Sequence, residues 1–600
     1  MNVIDGIQQK MKQSMKSVGG KLITSGGLKK HWTKFIPALF QPAAVRKTVA
    51  IGLAAAIVLG VCSGCESGDA GKPASNGLPG PVSENNSLPI AKEKITMKYW
   101  APYLASNKRN EDNLVYQELE KRTNIHFQFI YPVLGQELEQ FYLMIASNEL
   151  PDIIQNPPAP YPGGPDAAIA DGVYLRLNEL IDQYAPDYNR YRNSNRELRI
   201  QTMTEEGNIY TFDCIQLAEE KPWDGLIIRK DWLKELDLEM PVTIEDWHTV
   251  LTEFKNRKNA TAPFIFNAFP RQLELCGAIC SAYGVINDFY NENGTVRYGV
   301  IEPGYKEFLA TMNQWYQEGL IDPDFNTRDP ASNDALFTSG RGGAMYQWYS
   351  LFGGYNTKGR ELDPDFELVG VPSPVKNPGD KLHFRQTCYY DKETPAIITT
   401  ACKYPEEAVK WLNYAYTDEG FLLYNYGVEG ISWKWVDGPV PALDYLFYPK
   451  GLRGLNKHPE FTELMTKNPE GIAFWDLVPK YKIHQYAELR DPYAYGPFAG
   501  DILDSMEAWS QAGHDYMMPL FPQTQAEDKK INEIMNAVKA YVNDMQVQFI
   551  MGTEPLDHFD AFVSHIRRLG IEEAIRCKQS GLDRYIKRLN RDMGEPIENH

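Results

Sequence analysis

The stretch from Ile95 to Ile154 constrains the fold more tightly than any other part of the chain. It opens with the alternating run Ile95-Thr-Met-Lys-Tyr-Trp100, continues with Leu114, Val115 and Leu119 at helical spacing, and returns to alternation at His126-Phe-Gln-Phe-Ile-Tyr131. Phe141 to Ala146 then leads into Leu150-Pro-Asp-Ile-Ile154. Period-two and period-3.6 patterns taking turns in this way predict strand, helix, strand, helix, strand, which is a parallel α/β layer. A second series starts near Gly225-Leu-Ile-Ile-Arg229, followed by Thr243-Ile-Glu-Asp246, a capping-box start for a helix carrying Trp247, Val250, Leu251 and Phe254. A chain of 600 residues exceeds what one hydrophobic core supports, so the two series predict two α/β lobes.

Further along, Glu406 to Tyr416 puts Ala408, Trp411, Leu412 and Ala415 on one helical face. Near the end, Ile531, Ile534, Met535, Val538, Tyr541, Val542 and Met545 repeat at three-four spacing up to a stop at Gly552. These stripes predict core-facing helices.

The amino terminus has a different character. Nine Lys/Arg and one Asp precede residue 49, and Val49 to Cys62 is an uncharged apolar run of 14 residues, shorter than the roughly 18 or more that a bilayer span requires. It ends in Cys62-Ser63-Gly64-Cys65, which resembles a lipobox, with small residues before the cysteine that becomes the lipid-modified first residue. Residues 1–64 therefore read as a lipoprotein signal peptide and Cys65 as the lipidation site; an uncleaved signal anchor is the alternative that the short run disfavours. Residues 65–92, rich in Gly, Pro, Ser and Asn, read as a flexible tether, which as a random coil spans roughly 30 Å.

Charge and motifs exclude several classes. The net charge is −18, and the basic amino terminus leaves −26 on the remainder, which disfavours a nucleic-acid partner. HExxH, GxSxG and paired CxxC are absent, so no catalytic residue, metal or cofactor is expected. Gly354 to Arg360 imitates the start of a phosphate loop but lacks the Lys-Ser/Thr pair, and reads as a surface turn. Cys276 and Cys280 read as small core residues. Asn287-Asp288 with Asn291 to Gly294 reads as a hairpin, not a calcium loop.

A collinear set of segments then carries a resemblance. Leu150-Pro-Asp-Ile-Ile-Gln155, Leu226 to Leu233, Phe337 to Met345, Tyr404 to Leu412, Tyr426 to Gly430, Phe549 to Leu556 and Asp583-Arg-Tyr585 are similar to the family 1 extracellular solute-binding proteins, in particular the long LipO-type lipoproteins of Gram-positive bacteria. The resemblance runs from about residue 94 to 590. It implies an α/β, two-lobed periplasmic-binding-protein-like (class II) fold with a hinge and an interlobe cleft. Lobe 1 is expected over 93–225 with 395–480, lobe 2 over 226–394 with 481–600, with crossings near Pro222 to Ile228 and Tyr389 to Ile398. It also implies a monomer without enzymatic activity, held on the extracellular face of the cell membrane by its lipid. There it would capture a carbohydrate, an oligosaccharide above all, for the permease subunits of an ABC importer. The same scaffold binding a peptide or other non-sugar solute, and a surface glycan hydrolase using two carboxylates, are the competing readings.

Aromatic residues make up 12% of the chain, and flat rings stack on sugar faces. Trp100, at the end of the first strand, and Trp223, before the first crossing, are candidate ligand contacts. So are Gln155 and Asn156, whose amides offer both donor and acceptor, and Tyr161 behind them. Gln347 and Trp348 follow Gly343-Ala-Met345, where the resemblance to maltose-binding protein implies a ligand-facing tryptophan. Trp433, after the Val-Glu-Gly segment, completes the set.

Overall fold

The computed structural model describes residues 87–101, 109–215, 221–265, 277–385, 395–438, 455–462 and 499–592. The expected signal peptide, Cys65, Cys276 and most of the expected tether lie outside them. The strands are β1 (Ile95–Trp100), β2 (Ile125–Ile130), β3 (Ile153–Gln155), β4 (Thr211–Phe212), β5 (Asp224–Arg229), β6 (Ala262–Ile265), β7 (Phe289–Glu292), β8 (Thr295–Tyr298), β9 (Gly342–Trp348), β10 (Leu368–Val371), β11 (Ala396–Ile398), β12 (Trp433–Asp437) and β13 (Lys457–Phe461). The helices used below are α1 (Leu114–Thr123), α2 (Glu137–Ser147), α3 (Arg196–Gln201), α4 (Ile244–Lys258), α5 (Pro303–Gln317) and α6 (Phe352–Leu362). With them go α7 (Pro405–Tyr414), α8 (Asp418–Tyr426), α9 (Ala499–Trp509), α10 (Gln525–Met551) and α11 (Ile571–Asp592).

The first sheet has the order β2-β1-β3-β11-β4; β1 is parallel to β2 and β3, and β11 is antiparallel to β3 and β4. Its pleat separates two cores, as a period of two requires. Met97, Tyr99, Ile153, Ala396 and Ile398 face one side with α7 and α8, whereas Trp100, Ile154 and Ile397 face the other beneath Phe141 and Met144 of α2. Asparagines end the covering helices: Asn124 and Asn148 adopt the left-handed conformation after α1 and α2, which a short polar side chain tolerates.

The second sheet has the order β10-β5-β9-β6. Leu226, Ile228 and Ala344 point into a large core with α4, α5, α10 and α11, and Ile227 and Met345 point to the other face with α9. Thr243 and Asp246 form the expected capping box of α4. The stripe from Ile531 to Met545 lies on α10, which stops at Gly552 with φ 75°.

Neither sheet is built from one continuous stretch. Residues 216–220, 386–394 and 463–498 lie outside the described residues. The expected crossings run into strands: Asp224 to Ile228 pairs with β9 inside the second sheet, and Ala396 to Ile398 belongs to the first, so the expected 225/226 boundary falls within β5. At the tether's end, Ala91 is buried and donates its N–H to the Thr123 carbonyl, so the folded body begins slightly before residue 93.

Two local expectations resolve differently. Gly354 to Arg360 is no turn but part of α6, whose Phe352, Tyr355 and Gly359 make a buried face; a Cβ on Gly359 would collide with the Phe366 ring. Asn291 to Gly294 is a hairpin, with Asn293 and Gly294 at φ 53° and 90° between β7 and β8, clasped by Gln579 of α11.

The carboxyl-terminal helices also reach the first lobe. α3 packs along α11, and Ile200 joins the second core. Glu205, in the loop after α3, pairs with both Arg584 and Arg588, and Arg584 in turn pairs with Glu527 at the start of α10. Among the described residues no helix is long and apolar enough to cross a membrane, and no group of three His, Cys, Asp or Glu is placed to hold a metal ion.

Candidate functional site

The aromatic candidates divide into two populations. Trp223 and Trp348 come together where β9 ends and β5 begins: the register pairs Asp224 with Trp348, and the two indoles lie 6.2 Å apart at 35°. The N–H of Tyr349 donates to the Trp223 carbonyl at 3.0 Å, which ties the two segments together. Trp348 is 36% exposed and Trp223 is half-buried, so the pair offers ring surface to solvent at the carboxyl end of a central strand.

A buried carboxylate sits beside the pair. Asp224 opens β5, is 4% exposed, and accepts a hydrogen bond from the Tyr346 hydroxyl at 2.8 Å. Composition-based reading passed over Asp224 and Tyr346. A lone carboxylate heading the apolar run Gly225 to Ile228 was the available signal, since a buried charge has to be partnered.

Gln347 points to the opposite face of β9 and supports the site from below. Its side-chain N–H donates to the Tyr355 hydroxyl oxygen at 2.8 Å, Tyr355 donates to Asp334 at 2.6 Å, and the Trp348 N–H donates to Gln347 Oε1 at 2.9 Å. Burial, together with the Asp334 carboxylate, pushes the Tyr355 phenol well above its usual range, so it remains a donor. With both ends of its amide engaged, Gln347 holds the Trp348 backbone and is not a free ligand contact.

On the first sheet, Trp100 is only 4% exposed. As the last residue of β1 it falls on the face that α2 covers, packed with Phe141 and Ile154, so the expected place at a rim is corrected to a core position. Gln155 is buried at the end of β3 and its Oε1 accepts from the Tyr99 hydroxyl at 2.8 Å. Asn156 is half-buried at φ 47°, with its N–H donating to the Pro395 carbonyl. Tyr161 donates to Asp171 at 2.8 Å and packs edge-on against Tyr174. Trp433 is 2% exposed, its indole N–H donates to the Gly427 carbonyl, and its ring joins the first core with Tyr426, which removes it from the candidate contacts.

The site on the second sheet thus joins apolar ring faces to hydroxyl and carboxylate groups, a combination that fits a molecule with both C–H faces and hydroxyls. Comparison with known proteins places the chain in a family. Residues 101–420 match the family model described as bacterial extracellular solute-binding protein. The fructooligosaccharide ABC transporter substrate-binding protein FusA of Streptococcus pneumoniae serotype 4 is 28% identical over 369 residues, 58% of this chain. The match takes in 65% of FusA, so this chain spans somewhat less than two thirds of that relative. Lipoprotein LipO of Bacillus subtilis is 24% identical over 370 residues, 58% of this chain and 70% of LipO. The structure of S. pneumoniae FusA in complex with kestose superposes with a TM-score of 0.62 at 22% identity, covering 82% of this chain and all of that one. The architecture is therefore the expected two-lobed, class II periplasmic-binding-protein-like α/β fold. The chain belongs to the bacterial extracellular solute-binding proteins.

Proposed function

We propose that this protein captures an oligosaccharide outside the cell and delivers it to an ABC importer, without performing chemistry itself. The observation that carries the reading is the Trp223–Trp348 pair, half-exposed at the end of β9 beside the buried Asp224–Tyr346 couple. Indole faces stack on sugar C–H faces, and a carboxylate whose geometry is fixed by a tyrosine accepts from sugar hydroxyls. FusA, the relative named for fructooligosaccharides, supports a carbohydrate over a peptide. Cys65 is the proposed lipid attachment point, supported by the short apolar run before it and by the likeness to a lipoprotein.

Thermal-shift and calorimetric titration with kestose, oligogalacturonides, malto-oligosaccharides and a tetrapeptide mixture tests the reading. Saturable binding of one oligosaccharide class with no reducing-sugar release is the expected result. Binding of peptides alone, or steady hydrolysis of the glycan, would overturn it.

A further inference from the structure

Three elements of the second sheet's surroundings meet beneath Trp348, and a chain of hydrogen bonds with a single possible direction runs through them. Tyr349 donates its N–H to the Trp223 carbonyl, so Asp224 and Trp348 form a non-hydrogen-bonded pair of the β5–β9 ladder and the Trp348 N–H turns away from β5. Gln347 Oε1 takes that N–H at 2.9 Å, Gln347 Nε2 donates to the Tyr355 hydroxyl oxygen at 2.8 Å, and the hydroxyl donates to Asp334 at 2.6 Å. Tyr355, on α6, is buried, its ring packed edge-on against Phe337 at 5.6 Å, so packing fixes where its oxygen lies. Asp334 lies on the helix Pro330–Thr338 and has no ion pair among the described residues; its side chain is spent on a neutral phenol instead.

The direction of the chain follows from its last member. A carboxylate only accepts, so the Tyr355 proton goes to Asp334 and the phenol oxygen is left as an acceptor. An acceptor there calls for the amide nitrogen of Gln347, which turns Oε1 toward Trp348. With the amide turned over, its nitrogen would face the Trp348 N–H, donor against donor, and the end of β9 would lose this tie. Trp348 keeps a large part of its side chain outside the packed core, so the aim of its ring depends on the backbone from which it leaves. Stacking is strongest when the ring is in place before the ligand arrives, because ordering it afterwards costs affinity.

We infer that Asp334 is a positioning residue for the sugar-stacking ring of Trp348, acting on it through Tyr355 and Gln347. The inference rests on the carbohydrate reading above and adds what sets the ring in place. Its test uses the full chain labelled with fluorotryptophan, the Trp348 fluorine NMR signal being assigned with Trp348→Phe. The probe for binding is whichever of kestose, malto-oligosaccharides and oligogalacturonides the unsubstituted protein takes up. Asp334→Ala should shift and broaden the Trp348 signal, leave that of the core residue Trp433 unmoved, and weaken binding about fivefold at an unchanged Tm. Gln347→Glu sets two carboxylates on one phenol proton and should weaken binding about tenfold. Adding Asp334→Asn to it reverses the relay: the new amide donates to the Tyr355 oxygen, the phenol donates to the new carboxylate, and the Trp348 N–H keeps an acceptor. That double variant should bind within about threefold of the unsubstituted protein, a rescue that two independent losses cannot give. Should Asp334→Ala melt early, Tyr355→Phe, which keeps the ring packing, replaces it in both readouts. A Trp348 signal indifferent to the broken relay, or a double variant that binds no tighter than Gln347→Glu alone, would overturn the positioning role. An unsubstituted protein that binds none of the sugars would instead overturn the carbohydrate reading, and the ligand-free fluorine spectra would still decide the relay.

Discussion

Trp348 and Trp433 are the same residue type, each at an end of a strand, and the structure gives them opposite tasks. Trp348 keeps a third of its surface in water beside Trp223, whereas Trp433 is sealed in the first core with its indole N–H spent on a backbone carbonyl. Trp348→Ala should weaken oligosaccharide binding by about 1.5–3 kcal/mol, on the scale of a large apolar side chain lost from a contact, with little change in Tm. Trp433→Ala should do the reverse: about 3–5 kcal/mol of stability lost in urea unfolding, and unchanged affinity in the fraction that folds. Calorimetry and denaturation on the same two preparations check both. Trp348 stands out in the sequence only through the likeness of the segment after Gly343-Ala-Met345 to maltose-binding protein. The sequence could not separate Trp100 from a rim position, because which face of β1 the last residue takes depends on α2 packing above it. Asp224 went unread for a related reason: its significance is the Tyr346 hydroxyl 2.8 Å away on the neighbouring strand, across a sequence gap that no local pattern spans.

At the scale of elements, the long helices were the most legible parts. The α10 stripe and its Gly552 stop follow from spacing and from a glycine at positive φ, and the α4 capping box from Thr243 and Asp246. α6 was misread because Gly354 and Gly359 suggest a turn, while the ring of Phe366 needs the space that Gly359 leaves. Gly225 has the same kind of role in β5: the Trp509 indole of α9 occupies the place of its Cβ and donates to the Leu226 carbonyl at 2.9 Å. Gly225→Ala should destabilise the protein by about 1–3 kcal/mol, read as a lower urea midpoint. The start of α10 makes a pH-dependent prediction. Burial pushes the Glu527 carboxyl up, but Arg584 and the Thr524 N–H outweigh it and hold the group at about 2, against an ordinary 4.5. A depressed carboxylate contributes stability that is complete above 4.5 and disappears as the pH falls through about 2. Arg584→Gln should therefore lower the urea midpoint at pH 7, and the gap to wild type should narrow between pH 4.5 and 2.

Taken as a whole, the described residues build two main sheets, of five and four strands, each carrying cores on both faces, and two α/β series in the sequence were enough to anticipate that. The sequence was silent on how the carboxyl-terminal helices return to the first lobe, where Glu205 meets Arg584 and Arg588 nearly four hundred residues later. If binding closes the lobes on the ligand, X-ray scattering should show a smaller radius of gyration with saturating oligosaccharide, and an unchanged radius would count against closure. The interleaving of the chain has its own consequence for how the protein comes into being. The first sheet waits for β11, beyond residue 395, and the second core waits for Ile531 through Tyr585. A chain delivered amino end first can close its first sheet only past residue 398 and its second core only when its last helix arrives, so the second half stays pliant longest. A version stopped after Gln523 has every strand of the first sheet but neither α10 nor α11, so its second half should stay protease-sensitive while the first sheet gains resistance.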